Sequence, residues 1–160
     1  MPAPDAKHRV WRPEPTTAAP RPAYEPPPLG ERRDRVRAGF DRAFVDALAA
    51  RLGITPEGLL QRVGIGATGR TPNDTFASPS TASPGAAVRV IGTAADTLHE
   101  LHLLAERAEA VLGHPDSVPA WFGSGVGALG RTRPLDWLDT TAGRERVAEV
   151  LDAIAYGFPG

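Results

Sequence analysis

Three groups of residues have types and spacings that could do chemistry. The first is His99-Glu100-Leu101-His102. A zinc pair on one helix face takes histidines four apart and a third ligand from elsewhere. Here the spacing is three, the chain has no cysteine and only four histidines, and two polar or half-buried histidines are expected instead of a metal site. The second is Gly125-Val126-Gly127-Ala128-Leu129-Gly130, which has the spacing of a dinucleotide-binding turn. That turn works only when a strand feeds it and a helix leaves it, so that a pyrophosphate rests on the helix N-terminus. Trp121-Phe122 precede the glycines and no strand–helix–strand pattern follows, so they read as a loop passing close to a neighbouring helix and placing Leu129 as an anchor. The third group is arginine. Arg131, Arg133 and Arg144 in the C-terminal part, and Arg32, Arg33, Arg35, Arg37 and Arg70 in the N-terminal part, carry planar guanidinium forks that pair with carboxylates or phosphates. No nucleophile–base pair or convergent carboxylates accompany them. No catalytic residue, cofactor or metal is expected, and the chemistry is that of binding.

Composition bounds what can be bound. The 18 basic and 19 acidic side chains of the 160 residues nearly cancel, so whole-chain charge does not point to nucleic acid. The distribution is uneven: residues 1–52 hold 10 basic and 7 acidic groups. Lack of cysteine excludes disulfides and thiolate chemistry and suits a reducing compartment. No apolar run approaches the roughly 20 residues of a membrane helix, and the start lacks the apolar core of a signal peptide. A cytoplasmic protein with no membrane association is expected.

The elements that must position these groups are all helical. Residues 1–30 hold Pro26-Pro27-Pro28 and little apolar periodicity, and cannot bury enough surface to offset their ordering entropy. A disordered Pro-rich tail is expected there, with Trp11 and Tyr24 either solvated or a short docking element. From Glu31 to Leu52, Val36, Phe40, Phe44, Leu48 and Leu52 recur every fourth residue, which predicts one helix. Arg32, Arg33, Arg35, Arg37 and Arg42 crowd its start, either as a solvated face interleaved with Glu31, Asp34 and Asp41 or as a site for an anionic partner. Thr55 and Pro56 supply the N-cap and first residue of a second helix through Val63. Gly66 to Pro84 is rich in helix breakers and reads as a long loop. Ser83 and Pro84 are expected to open the longest helix, to about Leu112, with Val88, Ile91, Ala95, Leu98, Leu101, Leu104, Ala105, Ala108 and Val111 on its apolar stripe. Gly113-His114-Pro115 ends it, and a short helix bearing Trp121 and Phe122 follows from Asp116 or Ser117.

Two helices in tandem close the chain. Pro134 has the fixed φ of a first helical position and puts Leu135 and Leu138 on a short apolar face. Trp137 lies off that line, where a large exposed aromatic serves as an interface anchor. A threonine oxygen at Thr140-Thr141 can cap the next helix, whose Val147, Val150, Leu151 and Ile154 form one stripe and whose end is Gly157. Tyr156, Gly157, Phe158, Pro159 and Gly160 remain as an aromatic tail without a charged side chain, suited either to a cleft or to fraying.

The ordered string Trp121, Ala128-Leu129-Gly130, Pro134-Leu135-Asp136, Leu138-Asp139-Thr140, Gly143-Arg144, Val147, Leu151, Ile154 and Tyr156-Gly157 resembles the toxin-binding domain of Xre/MbcA/ParS-type antitoxins. The resemblance covers roughly the last 50 residues and departs from the family at Arg131 and Arg133, where a second glycine and a capping Ser or Thr are usual. It implies a type II antitoxin whose partner is a RES-domain toxin that destroys NAD, with the antitoxin's C-terminal end in or over the toxin's active-site cleft. Arg131, Arg133, Leu135, Trp137, Arg144, Tyr156, Gly157, Phe158, Pro159 and Gly160 are the toxin-binding candidates.

The stretch FVDALAARLGITPEGLLQRVGI is similar to the first two helices of the helix-turn-helix in the same family. A basic recognition helix should follow, but the loop from Gly66 contains only Arg70 as a base. A degenerate helix-turn-helix is therefore expected. Operator-DNA binding through Arg32, Arg33, Arg35, Arg37 and Arg70, as a transcriptional autorepressor, is the alternative function. The expected fold is a small all-α bundle with a tail over 1–30, a helix-turn-helix-like region over 31–82 and a toxin-binding helical domain over 83–160. Its broad apolar spine leads us to expect a homo-oligomer.

Overall fold

The computed structural model describes residues 24–64 and 90–157. Over these residues it is all-α, with six α-helices, two short 3₁₀ helices and no strand beyond two isolated bridges. The helices are α1 (Leu29–Ala38), α2 (Arg42–Leu52), α3 (Pro56–Arg62), α4 (Thr93–Leu112), α5 (Ser117–Phe122) and α6 (Thr141–Ala155). The 3₁₀ helices are Gly127–Leu129 and Pro134–Trp137. Two compact units result, Glu25–Leu103 and Leu104–Gly160, with Tyr24 joining the second. None of the described helices is long and apolar enough to cross a membrane.

In the unit Glu25–Leu103 the single helix expected over Glu31–Leu52 is broken. Gly39 takes φ 72°, and Asp41 caps a new helix by accepting the Phe44 amide at 2.9 Å. Between them Phe40 leaves the helical path and exchanges two backbone hydrogen bonds with Val90, at 2.9 and 2.7 Å. The four-residue apolar spacing therefore has two causes: Phe44, Leu48 and Leu52 share a helix, whereas Phe40 is anchored from an extended segment. The stack of Phe40 on Phe44, 4.2 Å between ring centroids, keeps both aromatics together across the break. α2 ends on Gly53, in the left-handed region that a helix end favours, and packs against α3. Thr55 caps α3 through the Gly58 amide at 3.1 Å, with Pro56 at its first position, as the sequence predicts. Leu48, Leu52, Leu59, Leu98 and Leu101 are fully buried here. α1 buries none of its residues.

The long helix also starts later than its spacing suggests. Val90 is committed to the bridge with Phe40, Gly92 takes φ 71°, and α4 begins at Thr93. Ile91 thus lies before the helix, while Ser83, Pro84, Val88 and the loop from Gly66 with Arg70 lie outside the described residues.

In the unit Leu104–Gly160 the end of α4, α5, the two 3₁₀ helices and α6 enclose Trp121, Phe122, Leu138, Val147 and Leu151. Trp121 meets Phe122 edge-on at 5.1 Å, a favoured aromatic geometry. Tyr24 is half-buried, its hydroxyl donating to Glu106 at 3.2 Å and its ring 5.9 Å from the Arg107 guanidinium, which also pairs with Asp152. It is a docked residue, neither solvated nor free for a partner, whereas Trp11 and the rest of 1–23 lie outside the described residues.

The junction into α6 is the tightest place in the unit. Thr140 caps the helix by accepting the Gly143 amide at 3.1 Å. A Cβ on Gly143 would collide with the Trp137 carbonyl oxygen and come within 2.9 Å of Thr140 Oγ1. Gly143→Ala should therefore destabilise the protein by about 2–3 kcal/mol, the usual cost of overpacking against unyielding backbone. Urea denaturation checks this, and a stability equal to wild type would mean that the junction is not close-packed.

Candidate functional site

The candidate side chains fall at the two ends of α6. At its N-terminal side the segment Val126–Thr132 turns back on itself through an antiparallel bridge, with the Val126 amide donating to Thr132 at 3.1 Å. Gly125 makes the close return possible, because a Cβ there would lie 2.6 Å from the Arg131 carbonyl oxygen. The close neighbour is thus the loop's own returning backbone, where a helix was expected. Leu129 is buried and anchors the loop.

From this loop the chain enters the 3₁₀ helix Pro134–Trp137, with Pro134 at its first position. The two-helix tandem expected here is thus one 3₁₀ turn followed by one α-helix. Neither Thr132 nor any other side chain caps the turn. Instead the Thr132 hydroxyl accepts the Trp137 indole N–H at 2.8 Å and donates to the Leu129 carbonyl. This bond fixes the indole plane while leaving Trp137 37% exposed, so its aromatic face is held ready on the surface.

The arginines divide by what they already hold. Arg133 grips Asp136 with both arms of its fork, Nε to Oδ2 at 3.0 Å and a terminal nitrogen to Oδ1 at 2.8 Å. Hydrogen bonding to Asp136, and then its charge, raises the Arg133 pKa above the ordinary value. Arg144 is turned inward, donating to the Leu138 carbonyl and to Thr141 Oγ1, both at 3.0 Å. It fastens the end of the 3₁₀ helix to the start of α6. Arg131 is exposed on the turn. Leu135, although a binding candidate by sequence, is 6% exposed and supports the surface from beneath. Thr132, Asp136 and Gly143, which shape this surface, are not among the binding candidates read from the sequence. The Arg133–Asp136 pair was readable from its three-residue spacing.

At the other end of α6, Tyr156 is 68% exposed and Gly157 takes φ 76°. The 15 residues of α6 separate this end from the Trp137 end by about 22 Å, so the structure forms two clusters instead of one. Phe158, Pro159 and Gly160 lie outside the described residues.

His99 is buried, parallel to Phe40 at 6.2 Å, and His102 meets Phe44 edge-on at 5.1 Å. These imidazoles pack with aromatics, and among the described residues no group of His, Asp or Glu could hold a metal ion. The glycine run forms a 3₁₀ turn fed by α5, not the strand-fed turn of a dinucleotide site.

The unit presents an oriented tryptophan, paired and unpaired guanidinium groups and an exposed tyrosine, side chains in which interface hot spots are enriched. Residues 107–157 match the family model of the antitoxin Xre/MbcA/ParS C-terminal toxin-binding domain. The C-terminal third of the chain is thus similar to the toxin-binding domain of Xre/MbcA/ParS-type antitoxins. No curated protein matches the chain.

The geometry separates core from surface among the tryptophans. Trp121→Ala should cost about 3–5 kcal/mol of folding stability, as for a large buried side chain. Trp137→Ala should cost only about 1–2 kcal/mol, chiefly its hydrogen bond and partial burial. Chemical denaturation of both variants measures the difference; equal losses would show that Trp137 belongs to the core.

Proposed function

We propose that the chain is the antitoxin of a type II toxin–antitoxin system whose partner is a RES-domain toxin that degrades NAD. It neutralises the toxin by binding, with its C-terminal end occluding the active-site cleft. The observation that carries the reading is the toxin-binding-domain match, which ends at Gly157 where α6 stops beside the exposed Tyr156. Gly157, at φ 76°, is left-handed and turns the chain off the helix axis, and the residues that follow it in sequence, Phe158-Pro159-Gly160, have no charged side chain. Trp137 and Arg131 at the other end of α6 form the second point of attachment. A standard interface covers about 800 Å² per partner, a patch about 30 Å across, so one toxin surface can reach both ends of α6. Inhibition of this kind is steric and needs no catalytic group in the antitoxin.

The experiment is NAD consumption by the purified product of the adjacent reading frame, with and without the full chain. Stoichiometric loss of turnover is the expected result, and deletion of Gly157–Gly160 should restore turnover while leaving association detectable. Unchanged turnover with the full chain would overturn the antitoxin–RES pairing. Full inhibition by the truncated chain would overturn occlusion by the tail alone.

A second reading, operator-DNA binding in autorepression, draws on α1. That helix buries no residue and displays Arg33, Arg35 and Arg37 on its exposed surface, with Arg32 half-exposed; of these Arg35 is paired with Glu31. A 10-residue helix without a packed face has little to hold it, and an anionic partner would relieve the repulsion among its arginines. Operator affinity should then fall by at least tenfold between 50 and 200 mM salt, as about three or more neutralised phosphates require. Lack of binding at the lower salt would remove this reading.

A further inference from the structure

Residues Leu129-Gly130-Arg131-Thr132 form a tight reverse turn closed by the Thr132 amide donating to the Leu129 carbonyl at 3.3 Å. Both central residues are left-handed, Gly130 at φ 65° and Arg131 at φ 63°. This is the backbone of a type I′ turn, which strongly favours Asn-Gly or Gly-Gly because a Cβ at positive φ is strained. Arg131 is the one non-glycine residue at positive φ among those described. The loop gives it no alternative. Its amide donates to Val126 at 2.9 Å, the next residue pairs with Val126, and its carbonyl lies against Gly125. The conformation is set by the surroundings, and the side chain there is a choice made against local preference.

No contact among the described residues accounts for that choice. Arg131 is exposed, and its guanidinium has no hydrogen bond or ion pair among the described residues. The other arginines of Leu104–Gly160 are all engaged: Arg107 with Asp152, Arg133 with Asp136, Arg144 with Leu138 and Thr141, Arg146 with Glu149. The free fork stands next to Thr132, which holds the exposed indole of Trp137. Strain kept at an exposed, unpaired, chemically specific side chain points to a role in recognition.

We propose that Arg131 is the specificity-determining residue of the toxin-binding surface, taking a carboxylate of the partner protein in a bidentate pair beside Trp137. The inference rests on the antitoxin reading above. A protein carboxylate is favoured over a nucleic-acid phosphate because Leu104–Gly160 carries eight carboxylates against five arginines, a balance that repels a polyanion. Arg133 is not equivalent, because its fork already holds Asp136 and would have to release it first.

The test compares the full chain with Arg131→Gly, Arg131→Asn and Arg131→Lys, measuring the thermal midpoint of each alone and its affinity for the product of the adjacent reading frame. Arg131→Gly relieves the strain and should raise the midpoint by a few degrees while weakening the complex about tenfold or more. Arg131→Asn tolerates the left-handed region but has no charge, and should weaken the complex similarly. Arg131→Lys keeps both charge and strain; its midpoint should stay near wild type and its affinity fall between, as loss of the fork predicts. Opposite movement of stability and affinity in the glycine variant is the signature. Wild-type affinity in Arg131→Gly would overturn the recognition role, and a lowered midpoint would overturn the strain argument. Loss of duplex-DNA binding in place of toxin binding would assign the residue to the other partner and overturn the proposal. Absence of association by the wild-type chain would overturn the antitoxin reading, and with it this inference.

Discussion

The C-terminal unit depends on one close approach, the backbone of Gly143 lying against the carbonyl of Trp137. With no Cβ between them, the first turn of α6 can press against the end of the 3₁₀ helix, and Thr140 can satisfy the Gly143 amide from the same side. That contact sets the direction in which α6 leaves, and with it which of its residues face the core. Val147, Val150 and Leu151 follow inward, and Tyr156 follows outward. Arg144, the next residue, also serves structure, its fork reaching back to the Leu138 carbonyl and the Thr141 hydroxyl. The surface around Trp137 is thus oriented by a buried glycine.

Much of this was legible in the sequence because it depends on local rules. Thr55-Pro56 and Thr140 announce helix starts, Gly53 and Gly157 announce ends, and the stripe of α6 is the period of a helix and nothing else. What was not legible has a common physical cause: long-range pairing that competes with local pattern. Phe40 has the spacing of a helical residue, yet its amide and carbonyl belong to Val90, 50 positions away. Periodicity records which side chains are buried, not which backbone groups are paired. The same bridge withdrew Val90 and Ile91 from α4, whose apolar residues run past the helix start without interruption. Likewise Pro134 signals a helical first position without saying whether the turn that follows closes at three residues or four.

The site divides along the same line. That Trp137 stands off the apolar line was readable, and its exposure follows from it; that its indole would be fixed by Thr132 was not, because a hydrogen bond five residues back depends on the shape of the turn between them. Arg131, Arg133 and Arg144 look alike as letters. Only their partners distinguish them: Arg133 holds a neighbouring carboxylate, Arg144 a backbone carbonyl and a threonine hydroxyl, and Arg131 nothing among the described residues. Tyr24 shows the opposite case, an aromatic in a proline-rich stretch that owes its position to Glu106 and Arg107 more than 80 residues on.

Preorganisation gives these differences a functional meaning. A side chain that must be ordered on binding loses about 0.5–1.5 kcal/mol of the interaction it makes, and a paired charge must first be parted from its neighbour. Trp137, already held by Thr132, avoids the first cost, and Arg131, held at the backbone by its turn but unpaired at its tip, avoids the second. Arg133 and Asp136 stand between them as a neutral pair. Such a pair adds little attraction of its own, but it penalises any partner that buries it without replacing its hydrogen bonds. On the binding surface proposed above, a rigid aromatic face, a free fork and a closed ion pair would therefore discriminate by what they refuse as well as by what they hold.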